Sequence, residues 1–241
     1  MVLRQYGSLR MDMNRKQFLV RGLTGAAALA AGAMAQGQLV DTRADWRERD
    51  FRRLMARPAR YRQVYDIVAI NHGIFLNNIK NSLNGFQFGL DLTPRQFHIV
   101  AALHGPANLL NLDDAAWARY PLGEFIGLKD PKTGRWARRN LFLHGSADAR
   151  DHDPDSERSV YQDKSITGLK RRGVSFLACH TAMEEQSRAM IARFRLQEKP
   201  EAMVRTLLGQ HLLPGTFVVA AMVMAVALLQ TDGHFSYITV P

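Results

Sequence analysis

Short apolar runs of strand length alternate with segments of helical periodicity, and this alternation limits the fold more than any other feature. The predicted elements are a strand at 63–70, a helix at 72–88, a strand at 97–103, a helix from Pro106 towards Trp117, a helix at 160–172, a strand at 174–178, helices at 181–195 and 201–208, a strand at 217–221, a helix ending at Thr231 and a strand at 235–240. Strands separated by helices favour parallel pairing. The sequence therefore predicts a three-layer, doubly wound α/β domain over 63–241, flavodoxin-like, with a mostly parallel five-stranded sheet.

Two segments stand out from this pattern. Residues 121–157 lack periodicity and include an acidic run, 148–157, which predicts a loop excursion from the domain. The apolar stretch 212–229 approaches the length that spans a bilayer. However, Pro214-Gly215 interrupts it, and its composition changes from β-branched to helix-favouring residues. We expect a buried strand followed by a buried helix there.

The first 36 residues have the layout of a signal peptide. A polar start containing Arg15 and Lys16 precedes a weakly apolar run, which ends in Ala33-Met34-Ala35. The start resembles a twin-arginine signal in which Lys16 replaces one arginine, and such signals export folded proteins. We therefore expect the twin-arginine (Tat) translocon to export the chain to the periplasm, where it is soluble after cleavage near Ala35. The alternative is an ordinary amphipathic N-terminal helix.

The net charge of +10 suggests a nucleic-acid partner until the charges are placed along the chain. Residues 1–60 contain 12 basic and five acidic side chains, whereas the remainder contains 20 and 17. The domain itself is nearly balanced, so we expect no nucleic-acid partner. Between the leader and the domain, residues 37–62 form a charged segment in which Trp46, Phe51 and Leu54 share one helical stripe, which predicts an arm or docking helix.

Three predicted strands end in residues that can do chemistry. Asn71-His72 follows the first strand, His104 the second, and Cys179-His180-Thr181 the third. Ligands of a wound sheet bind at the carboxyl ends of its strands. Cys179 is the only cysteine and directly precedes a predicted helix, whose dipole is expected to lower the pKa of the thiol. The alternative is that each histidine fills a turn and the thiol is simply packed.

Four segments resemble the DsrE-like family of sulfur-handling (DsrE/DsrF-like sulfur relay) proteins. They are His104-Gly105-Pro106-Ala107-Asn108-Leu109-Leu110, Leu169-Lys170-Arg171-Arg172-Gly173-Val174, Phe176-Leu177-Ala178-Cys179-His180-Thr181-Ala182-Met183, and Pro214-Gly215-Thr216-Phe217-Val218-Val219 with Leu229-Gln230 and 233–238. The resemblance spans residues 64–241. It implies a three-layer α/β fold, often oligomeric, in which Cys179 matches the cysteine that carries a persulfide during sulfur transfer, and it places His104 in a family motif.

The leading hypothesis is an exported sulfurtransferase-like carrier, with or without turnover, in which Cys179 accepts sulfane sulfur from a donor protein or a small thiol. His104 or His180 would assist deprotonation. The predicted pocket residues, which include a carboxylate that would raise the thiol pKa, are Asn71, His72, Asn108, Thr181 and Glu184. One alternative is a transition-metal or haem site formed by Cys179, His104 and His72. Another is a non-catalytic, homo-oligomeric binding module.

Overall fold

A computed structural model describes residues 46–240, so the predicted leader, 1–36, lies outside the described residues. The predicted alternation of strands and helices is confirmed. The elements are α1 (Glu48–Met55), β1 (Tyr61–Ile67), a 3-10 turn (Asn71–Gly73), α2 (Ile74–Asn84), a π turn (Gly85–Gly89), β2 (Phe97–Leu103), a 3-10 helix (Gly105–Asn111), α3 (Asp114–Arg119), α4 (Leu122–Phe125), α5 (Ile166–Arg171), β3 (Ser175–Cys179), α6 (His180–Phe194), α7 (Pro200–Gln210), β4 (Thr216–Val219), α8 (Met222–Thr231) and β5 (Ser236–Thr239).

The five strands form one sheet in the order β4-β3-β2-β1-β5, and every neighbouring pair is parallel. The chain steps in one direction from β1 to β4 and then returns past β1 to β5. Because parallel crossovers are right-handed, the three forward crossovers cover one face of the sheet and the return crossover, α8, covers the other. This topology produces the predicted three-layer, doubly wound arrangement.

The side chains divide between the two faces as strand alternation requires. On β1, Tyr65 and Ile67 join the larger core cluster with α2, α6 and α7, whereas Val64 joins the smaller cluster. That smaller cluster contains α1, α8 and Cys179. The predicted docking helix is therefore present as α1, with Phe51 and Leu54 buried and Trp46 packed beside them. Tyr61 and Arg62, which were predicted to belong to the arm, are the first residues of β1.

Several predicted boundaries are wrong for local reasons. Instead of one helix from Pro106 to Trp117, a 3-10 helix ends at Asn111 and α3 begins after Asp113, whose carboxylate accepts a hydrogen bond from Ala116 N at 2.8 Å. The predicted helix at 160–172 shortens to α5, because Ser165 caps it by accepting from Gly168 N at 3.1 Å. A helix-capping side chain thus sets each helix start.

The stretch 212–229 contains β4 and most of α8, as predicted. Within residues 46–240, the helices are all too short or too polar to cross a membrane. The excursion 121–157 is largely irregular, although it contains α4 and a bridge between Lys129 and Trp136.

A buried histidine predicts how the domain responds to acid. His98 on β2 is 1% exposed, and its Nε2 lies 3.1 Å from Ser175 Oγ. Burial, followed by the charges of Arg57 and Arg62, lowers the pKa of His98 from 6.5 to about 4. The unfolded chain therefore binds a proton at this residue more readily than the folded chain, so its contribution to stability is complete above pH 6.5 and is lost as the pH falls towards 4.

We expect acid to reduce the free energy of unfolding of the wild type by about 3 kcal/mol through His98 over this pH range. His98→Gln should have a flatter dependence, measured by urea unfolding at pH 4, 5, 6 and 7. His152→Gln, at an exposed position, is the matched control and should keep the wild-type slope. Equal slopes in wild type and His98→Gln would contradict the assignment.

Candidate functional site

The carboxyl ends of β3 and β4 form a crevice. After β3 the chain enters α6 on one face of the sheet, and after β4 it enters α8 on the opposite face. Such a divergence of neighbouring connections is where wound α/β sheets leave room for ligands. Cys179 is the last residue of β3 and is paired in register with Val219, the last residue of β4. The thiol therefore lies at this crevice, as the sequence predicts.

Two helix starts converge on the sulfur. Cys179 Sγ accepts hydrogen bonds from Ala182 N at 3.4 Å and from Met222 N at 3.3 Å. The first amide belongs to the first turn of α6 and the second to the first residue of α8. Both amides carry the positive end of a helix dipole, so both favour negative charge on the sulfur.

Burial nevertheless determines the protonation state of the thiol. Cys179 is only 4% exposed. Desolvation raises the pKa of the thiol and outweighs the amides of Ala182, Met222 and Thr181, which lower it; Glu185 raises it further. The expected lowering of this pKa is therefore wrong, because the sequence shows the helix start but not the depth of burial. A neutral thiol at physiological pH is the consequence.

His104 and Cys179 occupy neighbouring positions on the same side of the sheet. His104 directly follows Leu103, whose register partner is Ala178, the residue before Cys179. His104 is in an extended conformation, so the alternation of β2 continues through it. Because Ala102 packs in the cluster that contains Cys179, alternation places the His104 side chain on that same face. The predicted proximity of the imidazole and the thiol is therefore supported by strand register.

A carboxylate and a phenol hold the imidazole. Asp66 Oδ1 lies 2.7 Å from His104 Nε2, and Tyr237 donates its hydroxyl to Asp66 Oδ2 at 2.7 Å. The side chains of His104 and Asp66 are 20% and 19% exposed, so they reach the surface. The hydrogen bond to Asp66, followed by desolvation and the charge of Asp66, raises the pKa of Tyr237.

Neither Asp66 nor Tyr237 was among the predicted site residues. Asp66 is the only charged side chain in the apolar run 63–70, which is a signal that sequence analysis alone can detect. Tyr237 carries no such signal, because its role depends on the pairing of β5 with β1.

Two of the predicted pocket residues fix the backbone around the thiol. Asn108 is fully buried; its Oδ1 accepts from Cys179 N at 2.9 Å and its Nδ2 donates to Cys179 O at 3.1 Å. Thr181 donates to Ala220 O from both N, at 3.2 Å, and Oγ1, at 2.8 Å, which joins the ends of β3 and β4. Asn108 and Thr181 therefore position Cys179.

Two further predicted residues form a buried pair on α6. His180 is fully buried, and its Nδ1 lies 3.9 Å from Glu184 Oε1, one helical turn away. The carboxylate that raises the pKa of Cys179 is Glu185, not the predicted Glu184.

Asn71 and His72 lie in an exposed turn between β1 and α2. His72 lines a cavity whose other walls include residues 141–147. Residues 46–240 contain no group of three or more histidine, cysteine, aspartate or glutamate side chains that could hold a metal ion. The alternative metal site formed by Cys179, His104 and His72 is therefore not assembled.

A scan against protein-family models finds no match to this chain, and neither the curated proteins nor the solved structures contain a match.

The Asn108 contacts predict a large stability effect. Asn108→Ala removes two hydrogen bonds and leaves the buried N–H and C=O of Cys179 without those partners. We expect the free energy of unfolding to fall by about 2–4 kcal/mol, measured by urea denaturation. Asn77→Ala, at a half-buried position on α2, is the control and should change stability little. A loss equal to that of the control would show that the amide does not secure the end of β3.

Proposed function

We propose that this protein is a sulfur carrier in which Cys179 accepts a sulfane sulfur atom and passes it to a small thiol. The single observation that supports this proposal most directly is the row formed by Cys179, His104 and Asp66 along the carboxyl edge of β3, β2 and β1. A nucleophile, a neighbouring base and a group that orients the base are the parts that thiol catalysis requires.

The raised pKa of the thiol makes the base necessary. A thiol that stays protonated at neutral pH reacts only if a neighbouring group removes its proton, since the thiolate is the nucleophile. In the proposed mechanism His104 receives this proton, and Asp66, hydrogen-bonded to Nε2, stabilises the resulting imidazolium.

The two amides at the sulfur support the product of that transfer. Hydrogen bonds from Ala182 N and Met222 N become charge-assisted when the sulfur is anionic, and such bonds are stronger than those to a neutral thiol. The same donors can stabilise a persulfide anion at this position.

The transfer is balanced with inorganic polysulfide as the donor. The Cys179 thiolate attacks one sulfur of the polysulfide chain and forms a new S–S bond. The adjacent S–S bond of the donor breaks, and the polysulfide, shortened by one sulfur, leaves with the electron pair. In the second step a thiolate acceptor attacks the outer sulfur of the persulfide and regenerates the Cys179 thiolate.

The burial of Cys179 favours small reaction partners. Only 4% of the residue is exposed, so a bulky protein loop reaches the sulfur with difficulty, whereas a linear polysulfide or a small thiol is thin enough to enter the crevice. The resemblance to DsrE-like proteins supports sulfur as the cargo. The leader over 1–36 supports export to the periplasm, which we include in the proposal.

The first test is loading with inorganic polysulfide, followed by intact-mass measurement. Wild-type protein should gain about 32 Da for each sulfur atom added, and dithiothreitol should remove the gain. Cys179→Ser should gain nothing. An unmodified wild-type protein would contradict the carrier proposal and favour the alternative in which the thiol is only packed. For protein isolated from the cell envelope, the same mass shows whether the chain is cut after Ala35.

The second test concerns the base. His104→Asn should slow loading at pH 7 by about tenfold or more, measured as the initial rate of adduct formation. The difference should shrink as the pH rises towards the pKa of the thiol, because the thiol then ionises without assistance. Asp66→Asn should show a smaller effect of the same kind, and the exposed His152→Asn is the control. Equal rates for His104→Asn and wild type at pH 7 would contradict the role of His104.

A further inference from the structure

A second cavity lies between the turn that follows β1 and the excursion from the domain. It has a volume of about 530 Å³, which is within the usual range for small-molecule sites. His72 and Leu76 line it from the turn and α2, and Phe142, His144 and Lys164 line it from the excursion and the segment that leads into α5. Leu76 belongs to the larger core cluster, whereas Cys179 belongs to the cluster on the other face of the sheet.

The backbone of the turn is held in an unusual conformation. Asn71, His72 and Gly73 have φ angles of 39°, 53° and 77°, so three consecutive residues are left-handed. Non-glycine residues adopt this region at an energetic cost and are over-represented at ligand sites. A Cβ atom on Gly73 would lie 2.5 Å from a ring carbon of Phe142. The absence of that side chain therefore allows the Phe142 ring to pack against the turn.

Positive charge collects on one side of this cavity. Lys80 Nζ donates to Gln162 Oε1 at 3.2 Å, and Gln162 and Lys164 both line the cavity. Burial, followed by the charges of Lys164 and Arg172, lowers the pKa of Lys80, which shows that these cations are close enough to repel one another. None of the three forms an ion pair with another residue between 46 and 240.

The acidic residues of the lining do not balance these cations. The Asp163 side chain is 2% exposed and is neutralised by Arg171, whose Nη2 lies 2.9 Å from Oδ2. Glu157 is the other carboxylate of the lining and is exposed. The remaining walls include apolar side chains from Leu76, Leu141 and Phe142. The cavity thus combines an apolar part with a cationic part.

We infer that this cavity binds a small organic carboxylate with an apolar body. The carboxylate would face Lys164 and the imidazoles of His72 and His144, and the apolar body would pack against Phe142 and Leu76. This site is separate from Cys179, and its ligand need not take part in sulfur transfer.

The test uses benzoate as the probe and the full-length protein. Isothermal titration should give a dissociation constant of about 1 mM for benzoate. Benzamide has the same ring and no charge, and inorganic phosphate has charge and no ring, so both should bind at least about fivefold more weakly. Equal binding of benzoate and benzamide would overturn the inference, as would phosphate binding as tightly as benzoate, because that result describes only a cationic patch.

Variants assign the binding to this cavity. Lys164→Gln and Lys80→Gln should each weaken benzoate binding by about fivefold. Lys132→Gln, at an exposed position outside the cavity, is the matched control and should bind as wild type. Cys179→Ser should also bind as wild type, which separates this result from the sulfur-carrier proposal. Undiminished binding by Lys164→Gln would overturn the assignment.

Discussion

Parallel strands can be joined only by crossovers, and the direction of each crossover determines which face of the sheet its helix covers. In this protein the chain steps three times in one direction and then returns once. The return places α8 opposite α6, so the connections leave β3 and β4 towards different faces. The crevice between them and the two helix starts at Cys179 both follow from this single reversal.

The environment of the thiol is a balance between two opposing effects. The helix starts supply amides that favour the thiolate, and the closeness of those same helices removes water that would solvate it. Desolvation is the larger effect, which leaves the thiol neutral. Under these conditions the reactivity of Cys179 depends on a neighbouring base, and strand register provides His104, held by Asp66. The arrangement would keep the thiol protected until a proton acceptor and a small substrate are both present.

The excursion adds a second surface to the domain. Residues 141–147 close against the left-handed turn after β1, and Gly73 makes that approach possible because it lacks a side chain. The turn lies at the carboxyl end of β1, where wound sheets place ligand-binding residues. His72 therefore contributes to a site formed with the excursion, and the distribution of charge around Lys164 gives that site a chemistry different from that of Cys179.

The strand and helix order, the parallel sheet and the position of Cys179 at a strand end were determined by local features of the sequence, because hydrophobic periodicity and length are local properties. Boundaries such as the start of α3 depended on the capping side chain of Asp113, which is also local but was not recognised. The partnership of Asp66 with His104 and Tyr237, and the raised pKa of Cys179, were decided only by the tertiary structure. Both arise from contacts between segments distant in sequence, and the burial that sets the pKa depends on how helices from opposite faces close around the sulfur.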